Sequence, residues 1–207
     1  MTYAKLTFPD KYNEAERFVD WNVAQGRGGK VAIYHKEDRI TYQEVLDNVN
    51  RTGNALLSLG INMEDRVLLL AFDCPEFVYT FFGAMKIGAV PIPTNTMLKP
   101  EDYRYLLNDS RSKAVVVSRE LLPGILTVKD ELIFLKNIIV IGEPVENTIN
   151  FDELLKGGST ELAAAPTSPD DAAFWLYSSG TTGFPKGTVH LHHDMCLTAP
   201  NITVRVS

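Results

Sequence analysis

Val67-Leu68-Leu69-Leu70-Ala71-Phe72 is an unbroken apolar run of strand length. A strand with one wet face alternates apolar and polar residues; a run without alternation needs cover on both faces, as in a parallel sheet. Residues 114–117 and 138–141 repeat the pattern, and 89–92 does so before Pro93. Segments of helical spacing lie between these runs. Thr41 and Glu44 form a capping-box pair ahead of Val45, Leu46, Val49, Gly53, Leu56 and Leu57, and Gly60 stops that helix. Pro75 and Glu76 open a second helix, with Phe77, Val78, Phe81, Phe82 and Met85 predicted on its buried side. A third runs from Pro100 to about Asp109, and residues 121–135 read as mostly helical despite Gly124. An opening helix over 13–24, capped by Asn13, precedes a short strand over 31–34 that turns through Lys36-Glu37-Asp38 into Ile40. Residues 157–171, rich in Gly, Ser, Thr, Ala and Pro, read as a surface connection, and Phe174-Trp175-Leu176-Tyr177 as one more buried strand. This alternation predicts an α/β domain on a doubly wound, largely parallel sheet flanked by helices.

Charge narrows the partners. The formal net charge of the 207 residues is −6, and an acidic surface repels phosphate backbones and anionic lipid. Nucleic acid and membrane surfaces are therefore not expected partners, and any phosphate site must be local. Cys74 and Cys196 follow no C-x-x-C spacing, so neither a disulfide framework nor a cysteine-rich zinc module is expected. No apolar stretch suits a signal peptide or a membrane span, and a cytoplasmic location is the expectation.

Ser178-Ser179-Gly180-Thr181-Thr182-Gly183-Phe184-Pro185-Lys186-Gly187 follows the last apolar run. Gly180, Gly183 and Gly187 permit turns with positive φ and bring N–H groups close to a ligand. Consecutive N–H groups in such turns converge on an anion. The hydroxyls of Ser178, Ser179, Thr181 and Thr182 can each donate to a phosphate oxygen, and Lys186 adds a mobile positive charge. The placement at the end of a strand suits a ligand site of an open α/β sheet. The spacing is not that of a Walker A loop: Pro185 stands five residues after Gly180, and Gly187 follows Lys186.

At these residues the chain resembles the adenylate-forming superfamily of acyl-CoA synthetases, luciferases and peptide-synthetase adenylation domains. Residues 179–187 match its Ser-Gly-[Ser/Thr]-Thr-Gly-x-Pro-Lys-Gly signature throughout, with Phe184 at the variable position. Ile40-Thr41-Tyr42-Gln43-Glu44-Val45 resembles the first family motif, and Met85-Lys86-Ile87-Gly88-Ala89-Val90-Pro91-Ile92-Pro93 the second. Within the superfamily the likeness is greatest to benzoate-CoA ligases. It is carried by Phe18-Val19-Asp20, residues 26–30 and 64–69, Asn95-Thr96, Asp109-Ser110-Arg111, residues 174–180 and His190-Leu191-His192.

The resemblance implies an ATP-dependent, AMP-forming acid:CoA ligase that activates a benzoate-like aromatic acid as acyl-adenylate and then as CoA thioester. ATP, with Mg as its counter-ion, and CoA are the implied co-substrates. Lys186 is the implied catalytic residue, and Ser178, Ser179, Gly180, Thr181, Thr182, Gly183 and Lys186 bind the nucleotide. No protein-bound metal is implied. A hydroxyaryl or aliphatic acid, or a non-catalytic ATP-binding remnant, stays open. After Thr198-Ala199 the likeness ends. Residues 1–207 are thus expected to be part of the N-terminal AMP-binding domain, without the later adenine, ribose and catalytic-lysine motifs, inactive alone and able to self-associate through an uncovered surface.

Other residues read as structural. Gly26-Arg27-Gly28-Gly29-Lys30 precedes a strand and lacks dinucleotide-loop spacing, so it reads as a helix-ending turn. His190, His192 and His193 with Asp194 and Cys196 do not complete a four-ligand set and are expected to support the strand after the loop. Cys74 is expected to be a packed thiol, and Lys86, on an apolar helix, to extend to water.

Overall fold

The computed structural model describes residues 7–178 and 183–198. The apolar runs form the sheet they predict. Strands β3 (Arg66–Leu70), β4 (Val90–Pro93), β5 (Ala114–Ser118), β6 (Asn137–Ile141) and the short β7 (Ile149–Asn150) pair in the order β4-β3-β5-β6-β7, all parallel. Successive strand residues point to opposite faces, and here both faces are dry. Val67, Leu69, Ala114, Val116 and Ile139 enter one core with helices α1 (Tyr42–Ser58), α2 (Pro75–Lys86) and α5 (Phe151–Leu155). Leu68, Leu70, Val115, Val117, Ile138 and Val140 enter the other with α3 (Pro100–Asp109) and α4 (Leu122–Leu126). Cover on both faces is why these strands carry no polar alternation.

Local signals act as the sequence suggests. The Thr41 hydroxyl accepts from the Glu44 N–H at 3.3 Å, and Glu44 Oε2 accepts from the Thr41 N–H at 2.7 Å, starting α1. These bonds hold the Glu44 carboxyl below its usual range. Asp102 reaches back to the Lys99 N–H at 3.1 Å to start α3. Where α1 crosses α2 the backbones nearly touch. A Cβ on Gly83 would lie 3.0 Å from Val49 O and 3.1 Å from Gly53 N, so any larger residue would push the two backbones apart.

Several expectations are corrected. The first strand is not part of the sheet: β1 (Val31–His35) and β2 (Asp38–Thr41) form their own antiparallel hairpin. On α2 the buried residues are Pro75, Tyr79, Thr80, Gly83, Ala84, Met85 and Lys86; of the predicted set Met85 is among them, while Phe77, Val78, Phe81 and Phe82 only flank the core. Residues 121–135 contain the short α4 and a 3-10 turn at Lys129–Glu131, because Pro123 and Gly124 leave too little helix to propagate. The pair β7–α5 gave no clear periodicity at its length.

Lys86 does not reach water. Its side chain is fully buried, and Nζ donates to Asp20 Oδ1 and Asn50 Oδ1, each at 2.6 Å. Two facing acceptors make an inward course possible, which spacing along one helix could not reveal.

The 157–171 connection is also docked. Asn50 and Asn54 donate to carbonyls of residues 159–161, Leu162 packs on the α1/α2 core, and Thr167 is buried against Tyr12 and Asn13.

Candidate nucleotide-binding site

The strand that leads into the candidate phosphate loop is β8 (Ala172–Ser178), and the strand that leaves it is β9 (Lys186–Leu191). They form an antiparallel hairpin separate from the parallel sheet, although β8 lies alongside β4. This corrects the expectation of one more buried sheet strand. Of the β8 residues only Ala173 is buried, and Leu176 is 39% exposed. A bulky apolar run has the same composition whether it lies inside a sheet or, as here, against other elements. Phe174 meets Phe81 edge-on at 5.3 Å and stacks on His190 at 4.5 Å. The Arg66 guanidinium sits 5.9 Å over Trp175.

The hairpin register places Ser178 opposite Lys186, Tyr177 opposite Gly187 and Leu176 opposite Thr188. A hydroxyl and an ammonium thus face each other at the mouth of the loop. Gly183, between them, has φ of +149°, a value side-chain-bearing residues rarely adopt. Ser178 and Lys186 are exposed, and among the described residues Lys186 makes no ion pair. Ser179, Gly180, Thr181 and Thr182 lie outside the described residues.

Three contacts anchor this mouth to α3, and sequence reasoning assigned none of them. Tyr177 Oη donates to Asp109 Oδ2 at 2.6 Å. Tyr105 Oη donates to the Pro185 carbonyl at 3.2 Å, and the Phe184 ring stacks on Tyr105 at 4.8 Å. Burial and the Asp109 carboxylate push the Tyr177 hydroxyl above its usual range, so it stays a donor. Tyr105 and Asp109 are four apart on α3, hence on one face; only that spacing could have marked them.

Beyond β9, a turn at His192 and His193 leads into helix α6 (Asp194–Thr198). His192 is fully buried and its Nδ1 accepts from the Glu14 N–H at 3.1 Å; burial depresses its pKa to about 4. His193 Nδ1 lies 3.2 Å from Asp170, and His190 Nδ1 3.5 Å from Asp194. Each histidine therefore binds protein, and among the described residues no three His, Cys, Asp or Glu side chains converge to hold a metal. Burial raises the Cys74 thiol to about 11, as a packed thiol requires. Among the described residues no helix is long and apolar enough to cross a membrane.

The family profile described as AMP-binding enzyme matches residues 19–206. The chain belongs to that family. Among its relatives, a benzoate–CoA ligase of Thauera aromatica is 44% identical over 195 residues, 94% of this chain and 37% of the relative. A 4-hydroxybenzoate–CoA/benzoate–CoA ligase of Rhodopseudomonas palustris is 43% identical over 94% of this chain and 36% of that one. Among solved structures, that of an anthranilate CoA ligase in complex with anthranoyl-AMP superposes with a TM-score of 0.92 at 38% identity, over 96% of this chain and 38% of that one. The chain thus spans little more than a third of the length of these relatives.

Proposed function

We propose that residues 178–186 hold the phosphates of ATP in an AMP-forming acid:CoA ligase whose acid is benzoate or a close aryl analogue. The supporting observation is the hairpin mouth, where the exposed Ser178 hydroxyl and the Lys186 ammonium, without an ion pair among the described residues, flank a glycine-rich segment. Ser179, Gly180, Thr181, Thr182 and Gly183 complete the cradle by backbone N–H and hydroxyl donation. Lys186 is the catalytic residue of this segment: its charge balances charge on the β- and γ-phosphates as the α-phosphate is attacked. Mg enters as the counter-ion that the nucleotide carries, bound by phosphate oxygens, and CoA as the second substrate. In the first step a carboxylate oxygen bonds to the α-phosphorus and pyrophosphate departs. In the second the CoA sulfur bonds to the acyl carbon and AMP departs.

The aryl preference is supported by the benzoate and 4-hydroxybenzoate ligases at 44% and 43% identity. The latter name also favours a hydroxybenzoate as a second reading. We further propose that these 207 residues bind ATP without completing either step. ATP–pyrophosphate exchange with benzoate tests both statements. The 207 residues are expected to give no exchange, and a chain of the relatives' full length to give exchange that Lys186→Ala suppresses. Exchange by the 207 residues would show them sufficient and overturn the second statement.

A further inference from the structure

One buried acid has no part in the site described. Glu14 is fully buried in the N-terminal helical segment, directly before the π-helical turns at Glu16–Asp20 and Val23–Arg27. Its backbone N–H donates to His192 Nδ1 at 3.1 Å, and its Oε1 accepts from the Cys196 N–H at 3.1 Å. Tyr12 Oη lies 2.9 Å from Cys196 Sγ. Residues 12–14 therefore grip the turn and helix that begin where β9 ends, 178 positions further along the chain. Beside this grip lies an apolar cluster of Ala15, Met85, Ala173, Phe81, Phe82, Phe174 and Met195.

The hydrogen-bond pattern fixes the charge state of His192, and burial opposes a charge on Glu14. His192 Nδ1 accepts, so its ring is neutral with the proton on Nε2, and that nitrogen is buried without a partner among the described residues. Glu14 Oε2 is likewise buried and unpartnered. No cation faces it. The ionisable groups around the pair are Tyr12 and Arg17 on its own segment, Asp171 on the connection before β8, and His192, Asp194 and Cys196 beyond β9. The nearby Lys86 ammonium is committed to Asp20 and Asn50. A carboxylate here has desolvation against it, the largest effect, and a negative neighbour in Asp194; the Cys196 and Met195 backbone N–H groups favour it, and burial outweighs them.

We propose that Glu14 is a positioning residue for the phosphate hairpin: as the neutral acid it locks the turn after β9 to the N-terminal segment, and its ionisation loosens that turn and weakens nucleotide binding. The statement deepens the nucleotide reading above and rests on it. Burial pushes the Glu14 carboxyl up to about 8, which puts the transition just above neutrality.

ATP affinity measured from pH 7 to pH 9, where the nucleotide itself has finished titrating, tests it in the unsubstituted chain and in Glu14→Gln. If only the neutral form binds, affinity falls roughly tenfold over that range, in proportion to the competent fraction; the neutral amide of the variant gives a flat profile. Equal declines in both proteins overturn the proposal. Hydrogen exchange at the Cys196 amide, which needs no nucleotide, separates the two layers. Protection lost above pH 8 in the unsubstituted chain and kept in the variant supports the lock even if ATP binds neither protein, an outcome that overturns the nucleotide reading alone. Equal protection in both refutes the lock. Should the variant not fold, the 13C resonance of the Glu14 carboxyl in the unsubstituted chain decides: titration near 8 supports the lock, and titration near 4.5 removes its basis.

Discussion

Replacing Lys86 by Met keeps the length and most of the apolar contact of the side chain while deleting its ammonium. That ammonium is fully buried and makes two bonds of 2.6 Å, to Asp20 Oδ1 and Asn50 Oδ1. Breaking a fully buried pair from one side costs about 3–5 kcal/mol, since the remaining charge stays unpaired. The Asp20 side chain is 31% exposed, so water can recover part of this and the lower end applies. Asn50 Oδ1 loses its donor in a buried place, about 1 kcal/mol more. The sum is about 3–4 kcal/mol. For a domain of this size that lowers Tm by roughly 6–16 °C. Urea unfolding of the two proteins, with equal slopes as a check on two-state behaviour, gives the difference. Restoring neutrality with Asp20→Asn in the Lys86→Met background is expected to recover part of it. A loss below about 0.5 kcal/mol, the scale of an ordinary surface substitution, would refute the buried-pair reasoning.

Gly83→Ala places a methyl group against Val49 O and Gly53 N where α1 crosses α2; overpacking of about 1–3 kcal/mol outweighs a helix-propensity gain of about 1, and urea unfolding will show net destabilisation. Tyr177→Phe removes the bond to Asp109, and calorimetry is expected to show a few-fold weaker ATP binding with a stability loss of about 1 kcal/mol. The pH profile of stability follows from two buried groups. Glu14 is raised from 4.5 to about 8, so its contribution is complete below 4.5 and is lost as pH rises to 8. His192 is lowered from 6.5 to about 4, so its contribution is complete above 6.5 and is lost as pH falls to 4. The two trends oppose each other between 4.5 and 6.5. Stability is therefore expected to fall between pH 6.5 and 8, by up to about 1.4 kcal/mol per pH unit, and Glu14→Gln to flatten that fall in unfolding titrations.

The sheet was legible because its strands carry an unambiguous message: Val67–Leu70 and Ala114–Val117 have no wet face, and only a doubly covered sheet accepts them. The Thr41–Glu44 cap and the start of α3 at Pro100 were legible for the same local reason. What periodicity could not supply was partnership at a distance. Trp175 and its neighbours on β8 resemble sheet strands in composition but pair with β9, and Lys86 turns inward because Asp20 and Asn50, 66 and 36 positions away, meet it. The proposed phosphate segment was suggested by its glycines, hydroxyls and Lys186. Its anchors Tyr105, Asp109 and Tyr177 were not, since an aromatic or an acid on an amphipathic helix gives no sign of its partner. Glu14 was the least visible, because an acid in a first helical turn ordinarily faces water.

Equilibrium binding of ATP to the 207-residue chain and to its Lys186→Ala variant bears most directly on the phosphate role of residues 178–186. Loss of one charge-assisted contact to phosphate is expected to weaken binding roughly 10- to 100-fold, with unfolding behaviour unchanged because the ammonium is exposed and makes no ion pair among the described residues. Equal affinities for the two proteins would contradict it.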